Sequence, residues 1–299
     1  MRDRGHVVPF LLAVGLGLSS AAPEHDRLLV ARGDGFLKST LFSVCVDTGK
    51  LTRITPGMYG DWSPDGGALV VQRVVRASRP LRTALFVVSS NGRELRRLTS
   101  SPLAEYLPTW TAGGRIVFTR EARANRGYLF YTAGGLRSIA ARGGAERRLA
   151  NSLPPGFVAF LPAGGPGGQI VFSVIHQPIR HEASKPGADL YLLDRSGKVR
   201  PLVTDKTSDS VGPAAWSPDG QRIAFFRRGR GIFVLDPRTK RVTQLTNGPT
   251  DAFPGWSPSG ERIAFTRGNS VYTMGAGGTD LRLVVRDAFA SGSWARGGC

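Results

Sequence analysis

Residues 216–246 decide the fold. They read Trp216-Ser-Pro-Asp-Gly-Gln-Arg-Ile-Ala-Phe-Phe226, then Gly231-Ile-Phe-Val-Leu-Asp236, then Val242-Thr-Gln-Leu-Thr246. The same unit, a Trp-led turn followed by three short apolar segments, starts again forty residues later at Trp256, and earlier copies start at Trp62 and Trp110. A period near forty with several short strands per repeat is typical of a β-propeller.

Two further copies are incomplete. In Phe160-Leu-Pro-Ala-Gly-Gly165, Phe160 is interpreted as the replacement for the Trp, and Trp294-Ala-Arg-Gly-Gly298 ends before a strand can follow. The first apolar segments, from Arg27 onwards, lack an inner strand ahead of them, so each end of the chain has what the other lacks. We therefore predict an all-β, six-bladed propeller in which N- and C-terminal strands share one blade, with Trp294 packed against Leu28 and Val30. Closing the ring removes the free sheet edges that promote aggregation.

The residue types in the repeat suit tight antiparallel turns. Pro218 fixes φ, Asp219 can accept a hydrogen bond from the backbone two residues on, and Gly220 can adopt a positive φ. The residues before each Trp are small, as in Ala214-Ala215, because inner strands crowd around an axis. We predict structural roles for the Trp residues, between blades, and for the turn Asp residues: Trp62, Trp110, Trp216, Trp256, Trp294, Asp65 and Asp219. For the third blade, the third strand is predicted at residues 128–131.

The first 22 residues are predicted to be a signal peptide. A basic start precedes a twelve-residue apolar run, Val7 to Leu18, and the segment ends in small residues up to Ala22. The run is shorter than the roughly 20 apolar residues of a membrane span, and we predict no membrane span elsewhere. The prediction is an exported protein, periplasmic or secreted, with residues 23–299 forming a single propeller domain.

The repeat resembles the WD40-like propeller repeat of the TolB family. The resemblance rests on Trp-Ser-Pro-Asp-Gly followed by Arg-Ile-Ala-Phe, Ile-Phe-Val-Leu-Asp and Gln-Leu-Thr, and is most specific at Trp62, Trp216 and Trp256. It implies a periplasmic six-bladed propeller that works by binding envelope proteins. TolB proteins carry an additional N-terminal α/β domain, which we do not expect here. The same repeat occurs in propellers that gate a hydrolase domain in prolyl-oligopeptidase-type and tricorn-type peptidases.

Catalytic motifs are absent from the sequence. There is no Gly-x-Ser-x-Gly nucleophile elbow. His176 and His181 share one predicted loop, and a metal site there would need a further ligand at the right distance. We predict no catalytic residues, no metal and no cofactor.

Charge is the other distinctive feature. The formal net charge is +18, and the arginines fall in loops that emerge on both faces of a propeller, which argues against one nucleic-acid footprint. Acidic residues instead gather before the inner strands, where they would rim the central channel. We predict Glu105, Asp209, Asp251 and Asp287 as partner-binding residues for a cation or a basic segment. The alternative is that these carboxylates pair with arginines of adjacent blades and only hold the ring together.

The two cysteines, Cys45 and Cys299, leave two readings open. Both are predicted at one edge of the closing blade, where a disulfide would staple the ring, but Cys45 can equally be a buried core thiol. The functional hypothesis is a monomeric, non-enzymatic scaffold that binds an envelope protein or peptide on its channel face. The alternatives are a propeller hydrolase or lyase with a channel active site, and a protein retained by an anionic cell-wall polymer.

Overall fold

The computed structural model describes residues 25–33, 38–77, 81–121, 133–150, 153, 157–176, 188–204 and 211–299. The predicted signal peptide, His181 and Asp209 lie outside these residues. Six four-stranded antiparallel sheets form the fold, which confirms the predicted six-bladed, all-β propeller.

Each blade runs from an inner strand to an outer strand. The first sheet is β24 (Phe289–Ala295), β1 (Arg27–Arg32), β2 (Thr40–Cys45) and β3 (Leu51–Pro56); the second is β4 (Gly60–Trp62), β5 (Ala68–Arg76), β6 (Arg82–Ser89) and β7 (Leu95–Arg97); the third is β8 (Glu105–Trp110), β9 (Arg115–Glu121), β10 (Ala133–Ala140) and β11 (Arg147–Arg148). The fourth is β12 (Phe157–Gly164), β13 (Ile170–His176), β14 (Ala188–Leu193) and β15 (Val199–Val203); the fifth is β16 (Val211–Trp216), β17 (Ile223–Arg227), β18 (Gly231–Leu235) and β19 (Val242–Gln244); the sixth is β20 (Ala252–Trp256), β21 (Arg262–Arg267), β22 (Ser270–Gly275) and β23 (Arg282–Arg286).

The ring is closed by the two ends of the chain, as predicted. Strand β24 pairs with β1, placing Trp294 opposite Leu28, and Trp294 packs against the buried cluster that holds Leu28 and Val30. The inner strands contact one another in a complete circle, from β24 through β4, β8, β12, β16 and β20 back to β24. A disulfide joins Cys45 to Cys299 in this closing blade, with 5.3 Å between their Cα atoms. Such a bond is typical of a protein that folds in an oxidising, extracytoplasmic compartment.

The tryptophans fill the gaps between blades. Trp62 packs among side chains of the first and second blades, and Trp256 among side chains of the fifth and sixth. An arginine of the preceding blade covers each ring: the Arg27 guanidinium lies 4.2 Å from the Trp62 ring centroid, and that of Arg222 lies 4.5 Å from Trp256. The blades are therefore joined at these two tryptophans by apolar packing and cation–π contacts.

The register corrects one assignment. Trp110 lies opposite Ile116 in β9, whereas the residue opposite the equivalent Ile170 in β13 is Gly164. Gly164 thus takes the Trp position of the fourth blade, and Phe160 lies four residues upstream of it, so the prediction that Phe160 replaces the Trp is wrong. A side chain at Gly164 would not fit, because its Cβ would come within 2.3 Å of the Trp110 carbonyl oxygen.

In the third blade the third strand is β10, which begins at Ala133 and pairs along β9. The prediction placed this strand at residues 128–131, which lie outside the described residues. The apolar run there suggested a strand, but the observed strand uses the sequence that follows it. Length and hydrophobicity alone do not distinguish two neighbouring short segments of this kind.

The turn aspartates cap their own turns. Asp65 Oδ1 accepts hydrogen bonds from Ser63 Oγ at 2.5 Å and from the Gly67 backbone N–H at 3.0 Å. These bonds, led by that from Ser63, hold the pKa of the Asp65 carboxyl below its ordinary value. Asp219 repeats the arrangement with Ser217 and Gln221. The two turns have the same geometry, and this geometry sets where the second strand of each blade begins.

Candidate functional site

Large side chains from four blades meet near the axis of the propeller. Inner strands β8, β12 and β20 each contain a bulge, and at each bulge an apolar residue has a positive φ: Leu107 at 54°, Leu161 at 52° and Phe253 at 55°. Bulky residues rarely adopt this conformation, and bulges redirect side chains. Leu107 packs with Leu161 and Tyr59, and the rings of Tyr59 and Phe253 lie 6.2 Å apart. We call these four residues the apolar plug.

A cavity of 230 Å³ lies on the axis beside this plug. Its walls come from the carboxyl-terminal halves of the inner strands, and the residues that precede the bulges do not contribute to it. Four prolines line it, one from each of the third to sixth blades: Pro108, Pro162, Pro213 and Pro254. The side walls include Trp110, Trp216, Trp256 and Trp294. Of the described residues that line the cavity, Asp61 alone has a carboxyl group.

Asp61 is held by its two neighbouring blades. Its Oδ2 accepts hydrogen bonds from the Trp110 backbone N–H at 2.7 Å and from Thr109 Oγ1 at 2.9 Å, and its Oδ1 accepts one from Ser293 Oγ at 2.6 Å. Ser293 Oγ in turn accepts a hydrogen bond from the Trp62 backbone N–H. Burial raises the pKa of the Asp61 carboxyl, although these hydrogen bonds act in the opposite direction.

This network follows a rule of the repeat. Asp61, Ser293 and Thr109 each stand one residue before the Trp position of their own blade, and each accepts a hydrogen bond from the backbone N–H at the Trp position of the next blade. Ala163, Ala215 and Gly255 occupy this position in the other three blades and cannot do so. Polar side chains of the first three blades therefore link the first four blades around the channel, and Asp61 is the central member of that chain.

The predicted residue Glu105 is buried rather than exposed on the rim. Its carboxylate is paired with Arg120, which lies opposite it in the register of β8 and β9, and it also accepts a hydrogen bond from Thr99 Oγ1. Arg120 bridges to Glu146, with 2.5 Å between Nη1 and Oε2. Burial is the largest influence on the pKa of Glu105 and raises it. The side chain has no exposed surface with which to contact a partner.

Asp251 is placed in the same way at the start of β20. Both of its oxygens accept hydrogen bonds from Arg267, at 2.7 Å and 2.8 Å, and the Asp251 side chain is fully buried. Arg267 lies at the end of β21 in the same blade, so neither this pair nor that of Glu105 joins adjacent blades. The alternative hypothesis had expected pairs between blades. Asp287 is exposed, with a φ of 52°, and Asp209 lies outside the described residues.

Among the described residues, no group of three or more His, Cys, Asp or Glu side chains is arranged to hold a metal ion. His176 ends β13, and His181 lies outside the described part of the chain. No described helix is long and apolar enough to cross a membrane.

Two features of the cavity were missed from the sequence. Asp61 was not among the predicted partner-binding residues, and its position directly before Trp62 places it inside the cavity rather than on the rim. The plug residues Leu107 and Phe253 each stand three residues before a Trp, so the repeat alignment contained a signal for them. These side chains point towards the axis because of the bulges, and the sequence contained no sign of the bulges.

Comparison with solved structures supports the fold. TolB from Acinetobacter baumannii superimposes with a TM-score of 0.64 and 19% identity over 91% of this chain and 66% of that one. The structure of putative TolB from Agrobacterium tumefaciens gives 0.63 and 18% over 90% and 93% of the two chains. These matches confirm the TolB-like propeller fold; the chain spans about two thirds of the first TolB and nearly all of the second.

The fold alone does not separate binding proteins from enzymes. An oligogalacturonate lyase in complex with manganese also matches, with a TM-score of 0.54 and 16% identity over 83% of this chain and 71% of the lyase. No protein-family model matches the chain, and no curated protein matches it in sequence.

Proposed function

We propose that this chain is an exported, non-enzymatic propeller that binds a protein or peptide segment through its axial cavity. The observation that carries the proposal is the cavity itself: a proline- and tryptophan-lined space closed at one end by the apolar plug. Aromatic and apolar walls with few polar groups are typical of binding pockets, and aromatic side chains dominate the energy of protein interfaces.

The size of the cavity favours insertion of one side chain. Pockets that enclose a whole small ligand measure roughly 300–1,000 Å³, whereas this cavity measures 230 Å³. The plug also prevents a chain from passing through the axis. A partner would therefore insert a single apolar or aromatic residue from the open end, with the rest of its segment lying outside.

Asp61 supports binding rather than catalysis. Its two oxygens accept three hydrogen bonds from side chains and backbone of the surrounding blades. A carboxylate that joins three blades in this way fixes the cavity wall, which is a structural role rather than a catalytic one. In this proposal the residue holds the first three blades in register around the ligand.

A cavity-filling variant tests the proposal. Ser291 stands three residues before Trp294, as Phe253 does before Trp256, and it lines the cavity. Ser291→Leu would fill the cavity with a residue type that the third blade already accepts at Leu107. The matched control is Thr52→Leu, which adds the same side chain at an exposed position of β3.

Affinity capture from an envelope extract, followed by direct titration of the captured protein, provides the measurement. We expect wild type and Thr52→Leu to bind the same partner with equal affinity and Ser291→Leu to lose it. Equal binding by all three proteins would contradict the cavity as the site. Export is tested separately: amino-terminal sequencing of the processed protein is expected to begin between Ala21 and Glu24, and recovery of Met1 would contradict it.

A further inference from the structure

A second concave surface lies on the fifth blade, away from the axial cavity. It is an open groove of 690 Å³ between the turn that joins β16 to β17 and the turn that joins β18 to β19. Three guanidinium groups line it, together with three uncharged polar side chains: Arg222, Arg238, Arg241, Gln221, Thr239 and Thr243. We call this surface the arginine groove.

Arg222 is fixed in place. Its backbone N–H donates to Ser217 Oγ at 2.9 Å within the first turn, and its guanidinium lies over the Trp256 ring of the sixth blade, 4.5 Å from the centroid. An arginine that stacks on an aromatic face keeps the edges of its guanidinium available as hydrogen-bond donors. Arg222 therefore presents its charge to the groove in a fixed position, and binding of a ligand costs it little side-chain conformational entropy.

Arg238 and Arg241 project from an equally ordered turn. Asp236 Oδ1 accepts hydrogen bonds from the backbone N–H groups of Arg238 at 2.8 Å and Thr239 at 3.2 Å, and the Asp236 N–H donates to the Arg241 carbonyl at 2.9 Å. Lys240 adopts a φ of 60° to complete the turn. The backbone of this turn thus sets the positions from which the two exposed arginines enter the groove.

The groove carries an excess of positive charge. Asp236 is the one carboxylate among its lining residues, against three guanidinium groups, and it already caps its turn. Asp219 lies close enough to Arg222 to be affected by its charge, but the bond from Ser217 is the main reason that the pKa of Asp219 is lowered. Within the described part of the chain, no carboxylate forms an ion pair with Arg222, Arg238 or Arg241.

We propose that the arginine groove is a binding site for phosphoryl groups. Guanidinium groups present paired N–H donors that match the oxygens of a phosphate, and three of them beside hydroxyl groups can satisfy a tetrahedral anion on several sides. The groove is open and larger than one phosphate requires, so the phosphate can be free or part of a polymer. This site is independent of the axial cavity and of its proposed partner.

Isothermal titration tests the site with two probes, inorganic phosphate and sodium polyphosphate at equal total phosphate. The groove variant is Arg238→Gln with Arg241→Gln. The control is Arg53→Gln with Arg93→Gln, which removes the same charge at exposed positions of the first two blades. A third variant, Arg238→Lys with Arg241→Lys, keeps the charge and removes the paired donors.

We expect saturable, one-site binding that weakens at least about tenfold in the Gln groove variant and stays within about twofold in the control. The Lys variant should lie between them, because a lysine binds phosphate as a point charge. Tighter binding of polyphosphate than of phosphate would identify a polymer as the source, and equal binding a free phosphate. Binding that does not saturate, equal losses in groove and control variants, or a Lys variant equal to wild type would overturn the proposal.

Discussion

Removal of the Cys45–Cys299 disulfide should destabilise the whole ring. The bond connects residues separated by 254 positions, so it restricts nearly the entire described chain when the protein unfolds. The chain-entropy relation for a loop of this length gives about 5.5 kcal/mol at 25 °C as an upper value, and measured disulfides commonly contribute about 2–4 kcal/mol. We expect the Cys45→Ser, Cys299→Ser double variant to lose stability within the range of about 2–5 kcal/mol.

Guanidinium denaturation of both proteins, with and without reductant, provides the measurement. The wild-type midpoint should fall on reduction towards that of the double variant, whose own midpoint should not respond to reductant. The slope of the free energy of unfolding against denaturant should also be steeper in the double variant, because an unfolded chain without the cross-link exposes more surface. Equal midpoints for oxidised wild type and the double variant would refute the reasoning, as would two free thiols in mass spectra of the unreduced protein.

Three further predictions concern the inner strands. Gly255→Ala should cost more than about 2 kcal/mol, because its Cβ would lie 2.0 Å from the Gly292 carbonyl oxygen of the next inner strand; an unchanged melting temperature would contradict this close approach. Asp251→Asn should lower the free energy of unfolding by about 2 kcal/mol, because it breaks the paired hydrogen bonds with Arg267. Affinity for the partner should stay unchanged. A variant of unchanged stability that has lost its affinity would show instead that Asp251 contacts the partner. Burial raises the pKa of the Asp61 carboxyl above its unfolded value, so the stability that the protonated side chain contributes is full below the ordinary carboxyl pKa and is lost as pH rises through the raised one. Wild type should therefore lose more stability than Asp61→Asn when denaturation midpoints are followed from about pH 3 to pH 8, and parallel profiles for the two proteins would contradict this.

Much of the fold could be predicted because the repeat is local. The Trp-Ser-Pro-Asp-Gly turns and the apolar segments after them are defined by residues close together in the chain, and the unpaired segments at the two ends required each other. Six blades, the position of Trp294 and the closing blade all follow from these local patterns. It failed at Phe160, where the repeat has lost its Trp and only the hydrogen-bond register identifies Gly164 as the equivalent residue.

The candidate site was less predictable, because it depends on which side chains meet from different blades. The sequence predicted that Glu105 and Asp251 precede inner strands, and in the structure Glu105 is the first residue of β8 and Asp251 directly precedes β20. An acidic residue at such a position can face solvent or pair with an arginine. The strand register brings Arg120 opposite Glu105, so Glu105 pairs with an arginine instead of facing solvent. The same holds for the two cysteines, whose pairing was left open by the sequence.

The amino-acid sequence by itself therefore determined the repeat, the number of blades and the closure of the ring, because turn chemistry and alternating apolar residues act over a few residues. Only the tertiary structure decided how the centre is filled. The bulges at Leu107, Leu161 and Phe253 turn three side chains into the axis, and Asp61 finds its hydrogen-bond donors on two other blades. These features arise from contacts between residues tens to hundreds of positions apart, which local pattern cannot specify.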